Sequence, residues 1–142
     1  MIALGSDHGG YDLKVAVMKH LEERGLEYHD YGCYGKESCD YPVFGRAAAQ
    51  AVAGGEAERG IVICTTGIGI SISANKVKGI RAALCTSVNQ AKMTRLHNDA
   101  NMLALGASEV TVDEAIAILD TFLDTEFSGE ERHQRRINLI EG

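Results

Sequence analysis

The chain reads as an α/β protein, a three-layer sandwich in which a parallel sheet of about five strands carries helices on both faces. Two observations predict it. Short runs rich in Ile, Val, Leu and Ala alternate along the 142 residues with longer segments whose apolar side chains recur at helical spacing. The clearest strand, Gly60 to Cys64, is continuously apolar, the mark of a strand buried on both sides.

Each element follows in order. Ile2 to Gly5 reads as a strand, Tyr11 to Arg24 as a helix stopped by Gly25, and Glu27 to Tyr31 as a second strand that completes a βαβ unit. Pro42 to Ala53 is a helix with proline in its first turn, ended by Gly54 and Gly55, and the Gly60 to Cys64 strand comes next. A helix is expected over Gly69 to Val77. Short strands at Arg81 to Cys85 and Met102 to Leu105 are separated by a helix over Val88 to Leu96. Val112 to Thr125 places Ala115, Ile116, Leu119 and Phe122 on one face of an amphipathic helix. Glu131 to Ile140 also reads as helical, with few apolar residues. This alternation is Rossmann-like. Such sheets bind ligands beyond the carboxyl ends of their strands.

Composition narrows the function. Hydrophobic residues at 45% and charged residues at 24% suit one packed domain over residues 1–142 and exclude disorder as the main state. The net charge of −6, with no Lys/Arg-rich stripe, argues against a nucleic-acid partner. No apolar stretch approaches the roughly 20 residues that cross a bilayer. Cys33, Cys39, Cys64 and Cys85 lack the paired spacing of a zinc site, and the first residues enter a strand without a signal-peptide pattern. A cytoplasmic protein with reduced thiols is expected, Cys33 and Cys39 being unpaired loop thiols.

The densest chemical signal runs from Ile61 to Lys76. An apolar strand passes through Cys64 into a Thr- and Gly-rich turn that opens a helix. The first amides of a helix have no intrahelical acceptor and sit at the positive end of its dipole, which favours an oxyanion there and a thiolate at Cys64. Gly67 and Gly69 complete neither a dinucleotide fingerprint nor a Walker A loop. The plain alternative is a buried structural cysteine at a tight turn. Asp7 and His8 follow the first strand, His97 and Asn98 precede the last, and Arg132, His133 and Arg136 lie near the end. Each also has a plain reading. Asp7 suits a helix N-cap, His97 a loop histidine, and Arg132 to Arg136 a solvated helix face beside Glu130 and Glu131.

Taken together, G-S-D-H-G-G at 5–10, D-Y-P at 40–42, C-T-T-G-I-G-I-S at 64–71, A-N-K at 74–76, G-I-R-A at 79–82, H-N-D-A-N at 97–101 and R-H-Q-R-R at 132–136 resemble the ribose-5-phosphate isomerase B family. That family also includes the subunits of galactose-6-phosphate isomerase. The resemblance covers essentially the whole chain. It implies aldose–ketose isomerisation of a sugar phosphate without metal or organic cofactor. It also implies a homodimer, in some members a dimer of dimers, with the active site at the subunit interface.

By the same resemblance Cys64 is the base that moves a proton between C1 and C2 of the sugar, and the backbone amides of Gly67, Ile68, Gly69, Ile70 and Ser71 stabilise an enediolate oxygen. Some members use a glutamate at the position of Ile70, which places this chain with the cysteine type. Thr66 and His97 match ring-opening positions. Asp7, His8, Tyr41 and Asn98 match positions that contact the sugar, and Arg132, His133 and Arg136 match phosphate ligands. Segment 131–140 would then serve the phosphate site or the dimer, and His97 and Asn98 would arrive from the neighbouring subunit.

Two positions depart from the family pattern. Thr65 replaces the glycine that usually follows the base, and Ser108 stands where many members place an arginine that reaches the phosphate. Ribose 5-phosphate is the expected substrate. A six-carbon aldose 6-phosphate, a four-carbon ketose phosphate, and a binding module that has lost the chemistry remain alternatives.

Overall fold

The computed structural model describes residues 1–142. Strand β1 (Ile2–Ser6) leads through a single 3₁₀ turn (His8–Gly10) into helix α1 (Tyr11–Glu23), followed by β2 (Tyr28–Asp30) and α2 (Tyr41–Ala53). Then come β3 (Arg59–Cys64), α3 (Ile68–Asn75), β4 (Ala82–Leu84) and α4 (Val88–Met93), which widens into a π turn (Thr94–Asn98). Strand β5 (Met102–Gly106) and helices α5 (Val112–Asp124) and α6 (Glu131–Glu141) complete the chain.

All neighbouring strands pair in parallel, in the order β2-β1-β3-β5-β4. The two-residue period of the strands divides the core into two layers. Ile2, Leu4, Ile61, Ile63, Leu103 and Leu105 pack with α1 and α5 residues such as Val17, Leu21, Leu119 and Phe122 on one face. Ala3, Val62, Cys64, Met102 and Ala104 pack on the other with Ala48 and Val52 of α2 and Ile70 and Ala74 of α3. The chain steps from β1 to β2 in one direction and to β3 in the other. This opens a crevice beyond the carboxyl ends of β1 and β3, where Asp7 and Cys64 lie.

The expected three-layer α/β architecture is the one found, and most element ends shift by a residue or two. Gly67 adopts φ 79°, so the helix expected from Gly69 starts earlier, at Ile68. The helix expected over Val88 to Leu96 leaves α geometry after Met93. Tertiary contacts dictate that change. The buried guanidinium of Arg95 donates to the carbonyls of Thr125 (2.9 Å) and Ala100 (2.7 Å) and to Asp99 Oδ1 (2.7 Å), and Asp99 closes the turn with φ 44° and ψ 45°.

Candidate active site

Strand β3 delivers Cys64 to the carboxyl edge of the sheet, on the face packed by α2 and α3, where the residue is 4% exposed. The amide of Gly67 donates to Cys64 Sγ at 3.2 Å. A donor so placed favours negative charge on the sulfur. Gly67 has no substitute here, because a Cβ would lie 2.6 Å from Leu84 Cδ1 and 2.8 Å from the backbone carbon of Leu105.

The expected row of five free amides is thinner in the structure. Gly67 N–H is spent on the sulfur, Ile68 N–H donates to Thr66 Oγ1 at 3.3 Å, and Ser71 N–H donates to the Gly67 carbonyl at 3.2 Å. Only the amides of Gly69 and Ile70 lack an acceptor. They are the first-turn donors left for an oxyanion. Ile70 is fully buried, with its side chain in the core, so it offers a ligand no side-chain contact.

The turn after β5 holds the loop from the other side. Ala107 N–H donates to the Cys64 carbonyl at 3.0 Å, and Ser108 places both its amide (2.9 Å) and its hydroxyl (2.8 Å) on the Thr65 carbonyl. Ser108 therefore acts on the loop itself. Gly106 makes the approach possible, since a Cβ there would stand 2.3 Å from the Thr66 carbonyl oxygen. This grip was not apparent from the motifs, and the glycine ending the last strand was its only trace in the sequence. The Thr65 side chain lies against Gly9, where an added Cβ would meet Thr65 Oγ1 at 2.1 Å.

Asp7, His8 and Tyr41 join Cys64 at the same edge. Asp7 is buried and caps the 3₁₀ turn by accepting the Gly10 amide on Oδ1 at 3.0 Å, so the N-cap reading of this residue is realised in part, with Oδ2 left over. His8 Nδ1 accepts the Cys39 amide at 3.2 Å. A backbone amide can only donate, so the neutral ring carries its proton on Nε2. The Tyr41 ring covers the start of α3, close enough that a Cβ on Gly69 would lie 2.5 Å from Tyr41 Cζ.

A second cluster forms elsewhere. His97 stacks on His133 with ring centroids 4.3 Å apart and planes inclined by 19°. His133 is buried, while Arg132, Arg136 and Asn98 are exposed. Arg132 lies 3.7 Å from Glu130, and Arg136 makes no ion pair. His133 Nε2 is sealed from solvent without a hydrogen bond; Glu130 Oε2 is 3.3 Å away but poorly aligned. Burial pushes the His133 imidazole below its ordinary range, as do His97, Arg132 and Arg136, with Glu130 opposing. Arg81, just before β4, donates through Nε to the Asn98 carbonyl and through Nη2 to the Asp99 carbonyl, both at 2.9 Å. Arg95, which shapes this turn, gave no signal in the sequence.

The two clusters lie at opposite ends of the sheet. Cys64 pairs with Gly106 at the carboxyl end of β5, whereas His97 precedes Met102 at the amino end. The strand between them spans about 13 Å at a rise of about 3.3 Å per residue. One chain therefore brings together Asp7, His8, Tyr41, Cys64 and Thr66 to Ser71, and holds His97, Asn98, Arg132, His133 and Arg136 apart from them. Of the four free thiols, Cys85 is pushed by burial up to about 11 and belongs to the core layer on the opposite face of the sheet from Cys64.

Comparison with known proteins identifies the family and bears out the fold. The family described as ribose/galactose isomerase matches residues 2–140. Ribose-5-phosphate isomerase B of Escherichia coli is 47% identical over 139 residues, covering 98% of this chain and 93% of the relative. The structure of ribose-5-phosphate isomerase B from Clostridium thermocellum superposes with a TM-score of 0.97 at 56% identity, covering 99% of this chain and 94% of the other. The ribose 5-phosphate isomerase of Thermotoga maritima gives 0.96 at 44% identity, covering 99% and 96%. Its fold, its Cys64 loop and its near-complete match to these enzymes make this chain a member of the ribose/galactose isomerase family.

Proposed function

We propose that the chain interconverts ribose 5-phosphate and ribulose 5-phosphate, with the Cys64 thiolate as the base. The observation that carries the reading is Cys64 Sγ at the mouth of β3, accepting the Gly67 amide at 3.2 Å beside the acceptor-free amides of Gly69 and Ile70. In the open-chain aldose the thiolate takes the C2 proton, and charge moves onto O1, within the field of those two amides and the dipole of α3. The resulting thiol returns the proton to C1 while the hydroxyl proton passes from O2 to O1. The product is the ketose, and Cys64 is again a thiolate.

The His97 cluster enters this reading from a second copy of the chain. Two features support that arrangement. A site that needs both Cys64 and His97 is incomplete in one chain, and α3 bears an unpartnered apolar face, with Ile68 53% and Ile72 55% exposed. A twofold homodimer that covers this face would place one protomer's His97, Asn98, Arg132 and Arg136 against its partner's Cys64 loop. Thr66 and His97 then open the sugar ring. Arg132 and Arg136 take the phosphate with planar bidentate donors, whereas His133, whose Nε2 is sealed from solvent within one chain, reaches it only if its surroundings shift on assembly or binding. Segment 131–140 serves both phosphate site and dimer. The four free thiols suit a reducing compartment, and the reading places the enzyme in the cytoplasm.

The experiment is a panel of sugar phosphates given to the purified chain. Conversion of ribose 5-phosphate with the highest kcat/KM supports the reading. Preference for a six-carbon aldose 6-phosphate would move the substrate while keeping the chemistry, and binding without turnover would leave a phosphosugar-binding module.

A further inference from the structure

Lys14 is the one lysine that the fold buries completely, with a relative exposure of 0%. It lies in the first turn of α1, just after the 3₁₀ turn that carries His8, and the motifs give it no role. An ammonium withdrawn from water is costly unless every proton finds a partner, so its surroundings show what it holds. Nζ donates to Asp30 Oδ1 at 2.8 Å and to the carbonyl of Cys33. It also faces the rings of Tyr11 and Tyr34, each 5.6 Å to the centroid. Three of these four partners, Asp30, Cys33 and Tyr34, belong to the segment that leaves β2 and crosses the end of β1.

The start of that segment is also tied to the end of β1, where the Ser6 amide donates to the Gly32 carbonyl at 2.7 Å and the Cys33 amide to the Ser6 carbonyl at 2.6 Å. Asp30 Oδ1 also accepts the Gly32 amide at 2.8 Å, and Tyr34 Oη donates to the Asp30 carbonyl at 3.1 Å, so Lys14 adds a side-chain clamp to those backbone ties and extends it to Tyr34. Further along, the Cys39 amide donates to His8 Nδ1 at 3.2 Å. His8 stands beside Asp7 at the site edge, and its ring orientation depends on a donor presented by this segment.

We infer that Lys14 is a positioning residue: by clamping Asp30, Cys33 and Tyr34 it holds the 31–40 segment where the Cys39 amide keeps His8 with its proton on Nε2, presented to a sugar hydroxyl. The activity side of this inference rests on the isomerase reading above. The tautomer side does not. A lysine with a purely structural task would affect stability and leave the His8 ring unchanged.

The test uses the full chain and its Lys14→Met variant, which keeps an unbranched side chain one atom shorter and removes the charge. Nitrogen-15 NMR of the His8 imidazole reports the tautomer, and kcat and KM for ribose 5-phosphate report the site. In the wild type a single tautomer with unprotonated Nδ1 is expected. In Lys14→Met the two tautomers mix and kcat/KM falls by roughly 10- to 100-fold, the range expected when a positioning contact is displaced by about an ångström. Asp30→Asn, a milder change, accelerates hydrogen exchange of the Cys39 amide and lowers kcat/KM in the same direction; it decides the matter if Lys14→Met does not fold. A folded variant with an unchanged His8 tautomer, unchanged Cys39 exchange and kcat/KM within about twofold of wild type would overturn the inference. If the wild type turns over no sugar phosphate, the isomerase reading fails, and the tautomer measurement still decides the role of Lys14.

Discussion

Gly67 aims its amide at the sulfur of Cys64 across 3.2 Å, and only its left-handed backbone, φ 79°, allows that aim. Replacing Gly67 with alanine tests how far the site depends on this contact. An L-residue in that conformation costs about 1–2 kcal/mol, and here the new methyl would also press on Leu84 and on the backbone of Leu105 and Gly106. The expected outcome is a lowered melting temperature together with a loss of kcat of roughly two orders of magnitude or more, read by thermal melting and steady-state kinetics. Loss of stability with kcat intact would show that the amide does not serve the thiolate.

The separation of Cys64 from His97 makes a second prediction that no single-chain site shares. Cys64→Ala and His97→Asn, each expected to be inactive alone, are mixed, unfolded and refolded together. In a twofold dimer with shared sites, half of the dimers are hybrids and each hybrid has one intact site, so about one quarter of wild-type activity returns. No recovery above the separate variants, with hybrids demonstrated by mass spectrometry, would place both residues' roles within one protomer or remove His97 from the mechanism.

How much of this was readable in advance depended on whether a signal was local. The strands and the Cys64 loop were legible because apolar runs and the Gly67–Gly69 turn act over a few residues. The capping box at α5 is equally local but was not among the expected features, with Thr111 Oγ1 accepting the Glu114 amide at 3.1 Å and Glu114 Oε1 accepting the Thr111 amide at 2.9 Å. The π turn at Thr94–Asn98 was illegible because Arg95, at its start, is held by the Thr125 carbonyl just past α5, 30 positions away. Lys14 was illegible for a related reason, since its hydrogen-bond partners lie 16 or more positions away and nothing in the local pattern distinguishes it from a solvated lysine. The motifs listed His97 beside Cys64 as one constellation. Strand order and direction set them at opposite edges, and only the expectation of a partner subunit anticipated that.

His133 supplies a prediction in pH. Its folded-state imidazole is pushed below the ordinary 6.5 first by burial and then by His97 and Arg132. The unfolded chain therefore takes up this proton at a higher pH than the folded chain does. Stability from the neutral ring is whole above about 6.5, falls as the pH drops through that value, and levels off below the folded-state value. Thermal melts between pH 8 and 5 should decline less steeply in His133→Gln than in the wild type, and the His133 ring should titrate below 6.5 by NMR. Parallel declines, or a midpoint above 6.5, would contradict the burial argument.

The role of Cys64 as base is tested most directly by solvent exchange at the reacting carbon. With ribose 5-phosphate in heavy water, the wild-type chain should carry deuterium into the C2 position of recovered aldose and into C1 of the ketose. Cys64→Ala should slow both incorporation and turnover by roughly 10²- to 10⁴-fold, the usual contribution of a general base, while the variant still folds. Incorporation by a folded Cys64→Ala chain at the wild-type rate would contradict the account.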